Sequence, residues 1–190
     1  MNYVFPKEQE IPQEQRDFIE GFFDRFEEAL GGPTFRDPQL GYQRFFDSDA
    51  AIDQHIIQLM TKNTDAFVES TYLHKDRDGK IAFGPFWDFN HAMGVRSPDP
   101  MGWTELGVWE TQWWGGLFAD TDFTQRWIDR YHELRQGILS DANRSKIIDR
   151  MVDQLREAAP RNFERWPVSS ANAWNSAVRG LKNWLTTRIH

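Results

Sequence analysis

Between Pro12 and Leu30 apolar residues return every four positions, as Phe18, Phe22, Phe26 and Leu30, with Ile19 and Phe23 beside them. Only a helix gathers such a series onto one face, so the fold must contain a long amphipathic helix and a second apolar surface to cover it. The pattern stops at Gly31-Gly32-Pro33, two residues that favour leaving a helix followed by one that cannot continue it. The same period returns downstream. Asp47 or Ser48 can cap a helix with Ile52, Ile56, Leu59 and Met60 on one face, ending near Asn63. Phe123, Trp127, Tyr131, Leu134 and Ile138 mark another, and Ser140 can cap a third that carries Ile147, Ile148, Met151, Val152 and Leu155. Pro160 is expected to break or kink that helix, and a last one displays Trp174, Val178, Leu181, Trp184 and Leu185.

The period changes in one place. Thr71-Tyr72-Leu73-His74 and Ile81-Ala82-Phe83 are short β-type runs around Asp76-Arg77-Asp78-Gly79-Lys80, which predicts a β-hairpin with Asp78-Gly79 at its turn. From Gly94 to Gly116 no period is evident, and irregular structure pinned by Trp103, Trp109, Trp113 and Trp114 is expected. The fold class is therefore mainly α with one small β-hairpin, in a single domain over 1–190, a length that suits one domain.

Charge and composition narrow the function. Acidic residues outnumber basic ones, for a net charge of −7, so no basic excess exists to displace counterions and a nucleic-acid partner is not expected. Cysteine is absent, which removes disulfides, zinc-thiolate sites and thiol nucleophiles. No apolar run approaches the roughly 20 residues of a membrane span. Nine Trp and fifteen Phe supply ample core material.

Two acids stand in unusual company. Asp65 follows a helix end in Lys62-Asn63-Thr64-Asp65, and Asp88 follows the second β run in Gly84-Pro85-Phe86-Trp87-Asp88-Phe89-Asn90. A carboxylate between Trp87 and Phe89 is expected to be partly desolvated, with a bound cation as one compensator. Phosphoryl transfer uses such a pair: one carboxylate orients the attacking hydroxyl and a second holds Mg²⁺ on the phosphates. Blander readings stand beside this one: Asp65 as a helix-cap or turn residue, and Asp88 as an acceptor of backbone N–H bonds. His55 reads as a core or boundary histidine. His74 and His91 lie near the acids without the His-Glu-x-x-His spacing of a hydrolytic metal site. Lys75 and Lys80 read as solvated, and the tryptophans from Trp103 to Trp114 as buried, with sugar stacking the alternative.

The segment from Lys62-Asn63-Thr64-Asp65 through Ser70-Thr71-Tyr72, Lys75-Asp76 and Gly84-Pro85-Phe86-Trp87-Asp88-Phe89-Asn90 resembles the CotH kinase family. The likeness extends to Gly41-Tyr42 before Asp47 and to Arg161-Asn162-Phe163 with Trp166-Pro167. The resemblance implies the helical C-terminal lobe of an atypical protein-kinase-like fold, using ATP and Mg²⁺ to phosphorylate Ser hydroxyls of a protein substrate. It implies Asp65 as the catalytic-loop Asp, Asp88 as the metal-binding Asp, and Ser70 and Asn90 as cofactor-binding positions. Ser70 stands where the common kinase pattern has Asn, and Asn90 where many relatives carry a second acid. A nucleotide-covering lobe with its Lys and Glu is not recognisable, so the expectation is a fragment of a longer enzyme, whose full-length form is compatible with an extracytoplasmic or cell-surface location. The rival expectation is a non-catalytic surface or carbohydrate-associated module that keeps the fold.

Overall fold

The computed structural model describes residues 2–102, 107–167 and 170–190. Helix α1 (Gln13–Gly31) leads through a 3₁₀ turn (Tyr42–Arg44) into α2 (Ser48–Thr61). A second 3₁₀ turn (Thr64–Phe67) precedes strands β1 (Leu73–His74) and β2 (Ala82–Phe83). Five helices follow: α3 (Trp114–Phe118), α4 (Thr121–Gln136), α5 (Asp141–Leu155), α6 (Ala158–Arg165) and α7 (Ala171–Ile189). The fold is mainly helical with one two-stranded antiparallel sheet, as the periodicity required.

Helix α2 is the centre because it is buried on every side. Ile52, Ile56, Leu59 and Met60 are covered, and so are the polar Gln54, His55, Gln58 and Thr61. A helix of this kind needs neighbours all round, and α4, β2, α7 and the 3₁₀ turn at Thr64–Phe67 provide them. Its start is set by Asp47, whose carboxylate accepts from the N–H groups of Asp49 and Ala50 at 3.0 Å each, a cap whose loss costs about 1 kcal/mol. Its end is set by Lys62 in the left-handed region (φ 49°), where the Asn63 N–H turns back to the Gln58 carbonyl at 3.0 Å.

The aromatic residues build the rest of the core. Phe26 of α1 stacks on Phe46 with centroids 4.8 Å apart, Trp113 meets Phe26 edge-on at 5.0 Å, and Phe83 of β2 stacks on Trp114 at 5.2 Å. These contacts explain why the four-residue Phe series closes onto the hairpin side of the molecule. Leu73 pairs with Phe83 and His74 with Ala82, and the loop between them turns at Asp76–Gly79, where the Gly79 N–H donates to the Asp76 carbonyl at 3.1 Å. Strand β2 is tied in turn to the lead-in of α2, since the Asp47 N–H donates to Ile81 O and the Ile81 N–H to Phe45 O, both at 2.8 Å.

Two expectations need correction. The stretch from Gly94 to Gly116 is not wholly irregular, because Trp114 opens the short helix α3, whose Trp114 and Leu117 are buried; Trp103 lies outside the described residues. The helix expected to run up to Pro160 stops earlier, with the break ahead of the proline. That helix ends at Leu155, and Pro160 sits in the first turn of α6, where a missing N–H removes no helical bond.

Candidate functional site

The site forms where the chain leaves α2 and where it leaves β2. After Lys62 the chain enters the 3₁₀ turn that carries Asp65, and the Asp65 carbonyl accepts from the N–H groups of Val68 and Glu69 at 3.1 and 2.7 Å. After β2, the Gly84 N–H still donates to the Tyr72 carbonyl at 2.9 Å, which carries hairpin geometry up to the segment bearing Asp88. Asp88 is itself left-handed (φ 62°), a conformation that costs a non-glycine residue on the order of 1–3 kcal/mol unless its surroundings hold it.

Those surroundings tie the two segments together in both directions. From the first segment, the Asn63 side-chain N–H donates to the Asp88 carbonyl at 3.1 Å, and the Ser70 hydroxyl donates to Asp88 Oδ2 at 3.2 Å. From the second, Arg96 Nη1 donates to Asp65 Oδ1 at 2.6 Å and His91 Nδ1 lies 3.1 Å from Asp65 Oδ2. A carboxylate only accepts, so His91 Nδ1 carries the proton of that bond. Asp88 is thus bonded to Asn63 and Ser70, and Asp65 to His91 and Arg96, so each acid meets residues of the other's segment. Asn90 is exposed on the turn between Asp88 and His91.

The site is open rather than desolvated. Asp88 is exposed, with Phe86 and Trp87 at 52% and 55%, so the expectation of a carboxylate buried between aromatic rings is wrong. The rings lean on one another instead, Trp87 edge-on to Tyr72 at 6.0 Å and Phe86 to Phe89 at 6.4 Å. The Asp65 side chain is one-third exposed (33%). His74 is exposed on β1 and touches neither acid among the described residues. Lys75 is not a solvated side chain: its ammonium donates to the Asp76 and Arg77 carbonyls at 2.9 and 3.1 Å and lies 4.4 Å from the Phe22 ring centre.

The loop after Asp88 is anchored with unusual weight. The Met93 N–H donates to the Thr61 carbonyl at 2.7 Å, fixing the loop to the last turn of α2. Gly94 has a positive φ of 91° and faces the Trp184 ring of α7, where an added Cβ would sit 3.0 Å from ring atoms, so only glycine fits. Beyond it, buried Lys62 donates to the carbonyls of Asp99 and Met101, both at 2.9 Å. Buried Arg188 of α7 donates to Pro100 O at 2.9 Å and to Leu59 O at 2.7 Å, and burial lowers its guanidinium to about 10, still charged at neutral pH. Two cations thus satisfy carbonyls of a segment that has no secondary structure to do so.

The side chains that meet at Asp88, a carboxylate and a hydroxyl, are oxygen donors of the kind a hard cation such as Mg²⁺ takes. The exposed Asp88 carboxylate carries the Ser70 hydroxyl beside it. Among the described residues no group of three or more His, Cys, Asp or Glu could enclose a metal. Mg²⁺ does not require one, since it is commonly held by one or two carboxylates with water and substrate phosphates completing the shell.

Sequence reasoning missed Asn63 and Arg96 as site residues and considered His91 only as a metal ligand. Asn63 lies within the Lys62-Asn63-Thr64-Asp65 block that drew attention to Asp65, so that signal was present. Arg96 had none, because nothing in its neighbours announces that the loop folds back across 31 positions.

One acid thus follows the end of a helix and the other follows a hairpin strand. The chain belongs to the CotH kinase protein family, whose match runs over residues 2–190. No curated protein and no solved structure matches it. Among the described residues, no helix is long and apolar enough to cross a membrane.

Proposed function

We propose that this chain carries the phosphoryl-transfer centre of an ATP- and Mg²⁺-dependent kinase that phosphorylates Ser hydroxyls of a protein. The observation that supports this most is the reciprocal tie between the two acidic segments, Asn63 and Ser70 reaching Asp88 while His91 and Arg96 reach Asp65. Residues so far apart along the chain need not meet for the helices to pack.

In this reading Asp65 accepts the hydrogen bond of the acceptor hydroxyl. As the hydroxyl oxygen bonds to the γ-phosphorus, the bond from that phosphorus to the leaving ADP oxygen breaks, and the hydroxyl proton passes to Asp65 and then to water. Asp88 and Ser70, with Asn90 beside them, hold the nucleotide's phosphate end. Mg²⁺, when bound at Asp88, neutralises charge on the phosphate oxygens. In this reading the chain supplies the helical lobe that carries both acids. Lys62 is not the Lys of a nucleotide-covering lobe, because its ammonium is committed to two loop carbonyls.

Incubating the full-length protein with labelled ATP and Mg²⁺ tests this. Asp65→Ala and Asp88→Ala are expected to lower incorporation by about a hundredfold or more; incorporation by Asp88→Ala equal to wild type would remove the proposed role. One observation favours the rival carbohydrate-associated module: Phe86 and Trp87 present exposed rings beside Tyr72, a surface on which a sugar could stack. Calorimetric binding of oligosaccharides without any binding of ATP would select it.

A further inference from the structure

We propose that Arg96 is the positioning residue of the transfer, holding the Asp65 carboxylate in the orientation that receives the acceptor hydroxyl; this rests on the phosphotransfer reading above. Asp65 stands on a short, partly exposed 3₁₀ turn, where a carboxylate without partners would rotate among several orientations. A base must sit within about 0.5 Å of its working geometry to act efficiently. Arg96 supplies that constraint at 2.6 Å on Oδ1, and His91 adds a second point at 3.1 Å on Oδ2.

An ordinary surface ion pair contributes little, because two flexible side chains must be ordered to make it. This pair differs in that the backbone of Arg96 is already ordered. Its N–H donates to His91 O and that of Val95 to Ala92 O, both at 3.2 Å, so Arg96 and His91 sit on one wound loop. Ala92 is buried at the base of that loop, and Met93 beside it is bonded to α2, the helix from which the Asp65 turn departs. Donor and acceptor are thus referenced to the same helix end, and the Arg96 side chain remains 58% exposed. A guanidinium fixes orientation through its planar fork, whereas an ammonium supplies only a point charge.

Steady-state kinetics of the full-length protein on a double-mutant cycle decide the matter. Arg96→Ala is expected to lower kcat by about tenfold or more, to leave the KM for ATP within about twofold, and to leave the melting temperature unchanged. In an Asp65→Asn background the same change is expected to alter kcat by less than about twofold, because the group it positions is already disabled. Arg96→Lys should recover part of the loss in the wild-type background only. Equal losses in both backgrounds, a loss confined to KM, or full activity of Arg96→Ala would overturn this role while leaving the kinase intact. Absence of any incorporation by the wild-type protein would overturn the phosphotransfer reading and this inference with it.

Discussion

His55 and Asp65 are ten residues apart along the chain, one inside α2 and the other just beyond it, and they show two opposite ways of using a polar side chain. His55 is fully buried among the rings of Phe67, Trp109, Trp114 and Phe118. The Trp127 indole N–H donates to its Nδ1 at 3.1 Å, so the proton lies on Nε2 and goes to the Val108 carbonyl, also at 3.1 Å. Both nitrogens are satisfied inside a dry shell. Asp65 is partly exposed, and its partners come from a loop held by buried cations and backbone bonds. Backbone strain is divided unevenly as well: among the described residues, of five non-glycine positions with positive φ, Lys62, Ser70, Asp88 and Met93 fall in the site segments and only Gln112 elsewhere. The lesson is that the aromatic core carries stability while the site carries conformations that the core must hold in place.

The comparison can be broken most forcefully from the core side. Phe26→Ala, at a fully buried ring packed on Phe46 and Trp113, is expected to cost about 3–5 kcal/mol by urea unfolding. A loss below about 1 kcal/mol would mean that the aromatic cluster does not carry the fold. Acid acts on the same region through His55, whose burial pushes its pKa down to about 4. The unfolded chain takes up this proton near pH 6.5 and the folded one only near 4, so the contribution is fully present above 6.5 and is lost as pH falls between those values. The loss amounts to roughly 3 kcal/mol, and His55→Gln should flatten that part of the profile. A wild-type profile already flat from pH 6.5 to 4 would contradict the buried neutral histidine.

From the site side the expected effect on stability is small. Asp88→Gly frees a left-handed position from its strain and loses one hydrogen bond from Ser70, so the unfolding free energy should change by less than about 1 kcal/mol. Phosphate incorporation should nonetheless disappear. A destabilisation above about 2 kcal/mol would make Asp88 a structural residue and erase the division between the two regions.

The helices were legible because large side chains recur at helical spacing in α1, α2 and α4, although burial reaches only part of each series, Phe26 and Leu30 in α1 and Phe123 and Trp127 in α4, and the hairpin was legible from the change of period around Asp78-Gly79. The meeting of the Asp65 and Asp88 segments was legible only as a pattern of motifs. Its physical basis, a side-chain amide from Asn63 and a guanidinium from Arg96, depends on loop closure, which leaves no periodicity to read. The exposure of Asp88 was misread for a related reason: flanking aromatic residues predict burial only when a partner surface covers them, and Phe86 and Trp87 turn outward. The break at Leu155 was missed because Pro160 drew the boundary toward itself, although a proline is tolerated in a first helical turn.

The proposed nucleotide–metal site is tested most directly by calorimetric titration of the full-length protein with ATP, with and without Mg²⁺, for wild type and Asp88→Ala. The account predicts ATP binding that requires Mg²⁺ in the wild-type protein and that weakens by about tenfold or more in Asp88→Ala. ATP binding of equal strength in both proteins, or binding indifferent to Mg²⁺, would contradict it.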